Sequence, residues 1–190
     1  MSEVFKYNTE EVVNPQPVQQ QTPTLRLVAE TDPILRQVLT DFDFKNPPVN
    51  AIELASALVE TCKQNRGIGL SANQCGYPFR VFVMGANDDY VAFFNPRITN
   101  KSEEEVHMME GCLSFPFLGL MITRPREIEV EYQDYMGETK QAKFTGLSAR
   151  CFQHELDHMN GIVYTDKVKP LALQQGMKKR NKIMRKIGFK

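Results

Sequence analysis

Two of the chain's three histidines, His154 and His158, stand four residues apart around Glu155 in "QHELDHMNG" (153–161). Four residues is just over one helical turn, so on a helix both imidazoles project from nearly the same line with the carboxylate beside them. Burying these groups without partners is costly, and a divalent ion removes the difficulty by accepting both imidazole lone pairs. That is the chemistry of an H-E-x-x-H motif: two metal ligands, with Glu155 left free to carry protons. The plainer alternative is a pair of core histidines bonded to carbonyls. The spacing, inside a helix as apolar as this one, favours the ligands.

A catalytic metal needs a third protein ligand and an open position. The metzincin pattern H-E-x-x-H-x-x-G-x-x-H is matched at Gly161, but Tyr164 stands where the third histidine belongs. No Glu follows Glu155, and the only acid after His158 is Asp166, so the third ligand must come from upstream. The candidates there are His107, four cysteines and many carboxylates. Cys151 lies one turn before His154 but seven residues from His158, which makes a shared ion hard to reach. Cys112 is preferred as a thiolate ligand: in "EGCLS" (110–114), Gly111 frees the backbone and presents the small side chain ahead of an apolar run. Cys62 reads as plain core.

These residues require a helix to carry them and a scaffold to bury it. Thr145 or Ser148 can start the helix and Gly161 can close it, while Leu147, Ala149, Cys151, Phe152, Leu156 and Met159 make it apolar on most sides, as a buried helix must be. An earlier helix is predicted over "AIELASALVETCKQNRG", where Ile52, Ala55, Leu58 or Val59, and Cys62 recur at helical spacing and Gly67 can end it. "RVFVMG", "YVAFFNPRI", "LMITRP" and "EIEVEYQD" read as strands, and "DYMGE" turns the last into a hairpin with "TKQAKFTG". Strands between two helices favour an α+β fold: mostly antiparallel strands packed around the central H-E-x-x-H helix, with an earlier helix and a basic C-terminal helix. The expected organisation is a disordered extension over 1–24, rich in Gln and Pro, a catalytic domain over 25–166 and a basic helix or tail over 167–190.

"GIGLSANQ" (67–74), "EGCLS" and "QHELDH" occur in the order and approximate spacing of the three motifs of peptide deformylases, a family this chain resembles over about residues 25–166. The resemblance implies an enzyme that removes the formyl group from the N-terminal formylmethionine of new polypeptides. It implies a metal on Cys112, His154 and His158, most often Fe2+, with Zn2+, Ni2+ or Co2+ able to substitute. It makes Glu155 the proton carrier and assigns the developing oxyanion to the side-chain amide of Gln74 and the backbone amide of Leu113. Both are fixed dipoles that donate without competing for the metal. Substrate contacts are expected from Gly67, Ile68, Gly69, Glu110, Arg150 and Cys151, with the two glycines letting substrate backbone lie along this segment. Three departures bear on the side-chain pocket and the motifs: Arg150 stands where many members are apolar, Ser71 where Ala is common, and "FPFLGLMITRP" lacks the Arg often found shortly after the second motif in bacterial enzymes.

With 190 residues, 42% hydrophobic and formal net charge zero, the chain has one domain's worth of core and is not a bulk nucleic-acid binder. No apolar stretch reaches the length of a membrane span and the first residues carry acids where a signal peptide is apolar, so the expectation is a cytoplasmic protein with reduced cysteines and no membrane partner. After Asp166 there are nine Lys and Arg and no acid. With Leu171, Met177, Ile183, Met184 and Ile187 interspersed, this segment reads as a basic amphipathic helix that Gly176 and Gly188 would interrupt, suited to a solvated tail, a membrane surface or an RNA surface; the deformylase resemblance implies the ribosome as the partner. Two other functions compete: a cytoplasmic zinc endopeptidase with Asp166 or His107 as third ligand, and a non-catalytic metal-stabilised module. A free carboxylate beside the ligands argues against the second, and the lack of a downstream His or Glu against the first.

Overall fold

The computed structural model describes residues 24–188, so the expectation for the N-terminal extension falls almost wholly outside the described residues. The first helix, α1 (Ala51–Gln64), starts where Asn50 accepts hydrogen bonds from the Ile52 and Glu53 amides, 3.0 and 3.1 Å long. Its Leu54, Ala55, Leu58 and Cys62 are buried against β1 (Gly69–Ser71) and β2 (Val81–Ala86), while Ile52 is exposed, one position off the inward stripe. The helix ends at Asn65 and the left-handed residue is Arg66, so Gly67 is not its stop.

Strands β3 (Asp89–Lys101), β6 (Glu127–Gln133) and β7 (Thr139–Thr145) complete an antiparallel sheet ordered β1-β2-β3-β6-β7. The expected hairpin around Gly137 joins β6 to β7. A second sheet has two strands, β4 (Glu105–Cys112) and β5 (Phe115–Pro125), joined by a tight turn through Leu113 and Ser114. Reading period-two hydrophobicity found β5 but not β4, whose His107, Met108 and Met109 are exposed and give no alternation to see.

The helix α2 (Gly146–Met159) carries the histidines. Ala149, Phe152 and Met159 face the large sheet, where the Phe152 ring meets those of Phe82 and Phe93 edge-on at 5.1 and 5.4 Å. Every residue from Ala149 to Glu155 is buried, as expected, but Leu147 is 57% exposed. Gly146 takes a left-handed φ of 58° just before it, so the chain enters the helix from solvent and the first turn lies outside the core. The last helix, α3 (Pro170–Ile187), runs through Gly176 without a break and ends at Gly188 in left-handed conformation. Gly176 belongs there because a side chain would strike Leu120 Cδ2, 2.8 Å from the Cβ position. Leu173 and Met177 join Leu118 and Leu120 in a third core cluster, so α3 packs on β5 rather than hanging free.

Candidate active site

The site forms where α2, the β4–β5 turn and the segment from Gly67 to Gln74 meet. A ligand atom from each of Cys112, His154 and His158 lies within 4.8 Å of the other two. The Cys112 sulfur is 3.4 Å from His158 Nε2. His154 turns Nδ1 toward Glu110 Oε2 at 3.1 Å, which leaves its other nitrogen for the cluster. His107 is elsewhere, exposed on β4 beside the Thr123 hydroxyl, and Asp166 pairs with Arg36. Neither belongs to the cluster.

The electrostatics ask for a cation at this point. Burial lowers the basicity of His154, but hydrogen bonds and charges from Cys112 and Glu110 outweigh it and push His154 up to about 10. His158, buried and facing His154, is pushed well below its usual value and so keeps a free lone pair. One thiol and two imidazoles, mutually within reach and largely buried, fit a transition-metal ion.

Glu155 is 4% exposed and accepts a 2.7 Å hydrogen bond from the Ser71 hydroxyl. Burial raises its pKa above the ordinary carboxylate value, against the opposing pull of His154 and Ser71. A carboxyl displaced in that direction is suited to taking up a proton and giving it back. Gly69 makes the approach possible, since a Cβ there would sit 2.5 Å from Glu155 Oε1 and 2.7 Å from Cys151 Sγ. Cys151 is buried with its thiol 3.5 Å from the Ile68 carbonyl.

Gln74 is held at both ends. Its carbonyl oxygen accepts from the Ser71 amide at 2.9 Å, and its Nε2 donates to Ser114 Oγ at 3.0 Å and to Cys112 Sγ at 3.3 Å. The amide thus stands beside the Cys112, His154 and His158 cluster, oriented by the Ser71 amide and the Ser114 and Cys112 side chains. Leu113, next to Cys112 in the turn, lines the same cavity of about 620 Å³ as Gly67, Ile68, Gly69, Gln74, Glu110, Arg150, Cys151, His154 and Glu155. Every residue expected from sequence to contact substrate therefore borders one cavity. The charged ends of two of them are already occupied: both Glu110 oxygens bind Arg124, Arg150 or His154, and Arg150 donates from Nη1 to Glu110 Oε1 at 2.6 Å and to the Ile122 carbonyl at 3.0 Å.

Sequence reasoning passed over three supporting residues. Ser71 was a small departure from a motif and becomes the partner of Glu155. Arg124 lies in register with buried Leu118, Leu120 and Ile122, so strand alternation alone places it inward. It joins Glu110 (2.6 Å) to Asp157 (2.7 Å). Tyr164 packs its ring 5.5 Å from that of His154 and donates to the Leu118 carbonyl at 2.7 Å, in the position where a metzincin has its third ligand.

A family model described as polypeptide deformylase matches residues 24–174. The chain belongs to the polypeptide deformylase family. A peptide deformylase from Finegoldia magna is 37% identical over 148 residues, spanning 77% of this chain and 90% of its own length. One from Rhizobium meliloti is 35% identical over 169 residues, 86% of this chain and 96% of its own. The crystal structure of the Thermotoga maritima peptide deformylase superposes with a TM-score of 0.73 at 35% identity, covering 78% of this chain and 99% of that one. The Synechococcus elongatus peptide deformylase, solved in complex with actinonin, gives 0.78 at 30% identity, covering 84% and 89%. As a member of this family the chain is a metal-dependent hydrolase that removes the formyl group from nascent peptides. The endopeptidase and the non-catalytic module are thereby set aside.

Proposed function

We propose that deformylation takes place at the Cys112, His154 and His158 cluster, with Fe2+ as the resident ion, and that Glu155 carries the proton. The single observation behind this reading is the convergence of three ligand atoms within 4.8 Å beside a buried carboxyl that is not one of them. Cys112, His154 and His158 would hold the ion, which would supply a water of lowered pKa and polarisation of the formyl oxygen. Substrate backbone lies along Gly67 to Gly69, where the two glycines on either side of Ile68 keep the approach open. Glu155 accepts the water proton and hands it to the leaving amine, while its bond to Ser71 fixes the carboxylate's orientation. The Nε2 of Gln74, oriented by its bonds to Ser71 and Ser114, and the Leu113 amide hold the charge that develops on the formyl oxygen. Glu110 fixes the His154 tautomer and ring, and is itself fixed by two arginines.

The test is direct. Protein prepared without oxygen is incubated with a formyl-Met peptide and with an unformylated, internally cleavable one. Amine release from the first alone supports the reading, and cleavage of the second refutes it. Reconstitution of metal-free protein with each ion then decides the metal: a zinc form faster than the iron form overturns the Fe2+ assignment.

The substrate reading extends to the outer face of α3. Lys178, Lys179, Lys182, Arg185 and Lys186 are exposed there while Gly176 and Arg180 face inward. A one-sided basic helix suits a phosphate surface, and a nascent-chain enzyme meets one at the ribosome. No helix among the described residues is long and apolar enough to cross a membrane, and the proposed compartment is the cytoplasm, where formylated chains are made.

A further inference from the structure

Strand β5 does not pair regularly with β4 along its whole length. Cys112 stands opposite Phe115 and Glu110 opposite Leu120, so between those pairs Gly111 alone faces Pro116, Phe117, Leu118 and Gly119. The excess forms a bulge, and all of its residues border the substrate cavity. Within it Phe117 is 45% exposed and has a φ of 63°, a left-handed conformation that a bulky residue keeps only when its surroundings impose it. The constraint comes from outside the sheet. The Leu118 carbonyl accepts from the Tyr164 hydroxyl at 2.7 Å, and the Pro116 carbonyl accepts from Arg180 Nε at 3.0 Å. The second bond bears directly on Phe117, because that oxygen belongs to the planar peptide group whose other end is the Phe117 nitrogen. Holding the oxygen fixes the plane from which Phe117 departs.

We infer that Arg180 is a positioning residue for substrate binding, which holds the β5 bulge so that Phe117 stands as a wall of the cavity. The inference rests on the reading of this cavity as the site of formyl-peptide hydrolysis. Arg180 is suited to the task. It is 5% exposed, whereas Lys178, Lys179 and Lys182 around it on α3 are exposed, and its Nη1 and Nη2 pair with the two oxygens of Glu30. A planar cation clamped at one edge by a carboxylate aims its Nε–H in a fixed direction. The groups proposed to react are held by other bonds: Glu155 by Ser71, and Gln74 by Ser71 and Ser114. Loss of Arg180 therefore weakens substrate binding and spares turnover, and α3 is part of the substrate site as well as a support of β5.

The experiment measures kcat and KM for a formyl-methionyl tripeptide, at matched metal content, together with the melting temperature of each protein. In Arg180→Met, which keeps an apolar stem but loses the donor, KM is expected to rise about tenfold, the factor of one hydrogen bond to a charged group, while kcat stays within about twofold. Phe117→Ala should raise KM by a similar factor, and the double variant should be no worse than F117A alone, because Arg180 acts through Phe117. Glu30→Gln keeps an acceptor for Arg180 but loses the charge, so it should lower the melting temperature while KM stays within about twofold. An unchanged KM in R180M, a loss confined to kcat, multiplied effects in the double variant, or a KM in E30Q that rises as stability falls each overturns the inference. If R180M fails to fold, Arg180→Lys takes its place: it keeps a cation for Glu30 but has no Nε–H, and a wild-type KM in R180K or in F117A refutes the positioning role. Hydrolysis of the formyl peptide by none of the proteins, the wild type included, would instead sink the assignment of the cavity, and the inference with it.

Discussion

Replacing Glu110 by Gln should cost the protein about 3 kcal/mol. The carboxylate is 6% exposed and meets Arg124 at 2.6 and 2.9 Å, Arg150 at 2.6 Å and His154 at 3.1 Å. Removing one member of a buried ion pair typically costs about 3–5 kcal/mol, because the remaining charge is left uncompensated. Arg124 keeps Asp157 at 2.7 Å and Arg150 keeps two carbonyls, which puts the expected loss at the low end of that range. A second route gives the same size. Burial raises the Glu110 pKa, but the bonds to Arg124 and His154 outweigh it and bring the group from 4.5 down to about 2. A difference of that size is worth roughly 3 kcal/mol at neutral pH. Because the folded-state value is depressed, this stability is present above pH 4.5 and is lost as pH falls toward about 2. Urea titration followed by far-UV circular dichroism suits a chain with no tryptophan. With a slope of roughly 2 kcal/mol per molar, the midpoint at neutral pH should fall by about 1.5 M, and the gap between E110Q and wild type should narrow in acid. The exposed pair Lys143–Glu127, 2.9 Å apart, is the control, and E127Q should leave the urea midpoint almost unmoved. The reasoning is refuted if E110Q and E127Q behave alike, or if the E110Q gap is the same at about pH 6 and about pH 3.

Four other outcomes are expected. Glu155→Gln should retain metal while turnover falls by roughly 10²- to 10⁴-fold, measured as amine release at matched metal content; near-normal activity would remove Glu155 from the chemistry. Cys112→Ala should lose metal on dialysis, whereas Cys62→Ala, on the buried face of α1, should keep it, and equal loss in both would end the case for Cys112. Gly69→Ala should lower activity at unchanged metal content, since its Cβ would meet Glu155 Oε1 at 2.5 Å and displace the carboxylate; wild-type kcat with full folding would contradict this. Truncation after Lys169 should lower both ribosome co-sedimentation at low salt and thermal stability, because Arg180, 5% exposed, bonds the Pro116 carbonyl at 3.0 Å and pairs with Glu30. Unchanged melting would show that α3 does not support β5, and unchanged sedimentation that its basic face is not an anchor.

The residues proposed to carry the chemistry stand together on α2 as their local spacing predicts. Two histidines at i and i+4 share a helix face wherever that helix lies, so His154, His158 and the free Glu155 needed no tertiary information. Strands β3, β5 and β6 and helix α1 were readable for the same reason, since one side of each is buried and the apolar period records it, while β2, buried on both faces over Val81–Met84, was readable as a continuous apolar run. Where one side was not buried, the record failed: β4 went unseen, and Ile52 and Leu147 were placed inside although both are exposed.

Sequence alone could nominate Cys112 but could not bring it to the histidines, because residues 42 and 46 positions apart meet only through the packing of the β4–β5 turn against α2. The same packing decided that Arg150 and Glu110 turn their charges toward each other and not into open solvent, and that Ser71 reaches Glu155. It also made the C-terminal segment a support of β5 as well as a basic surface, with Gly176 a point of close contact where composition suggested a break. Periodicity is a property of one element and can be read along the chain. The orientation of a charged side chain depends on which partners burial brings within about 3 Å, and those partners are distant in sequence.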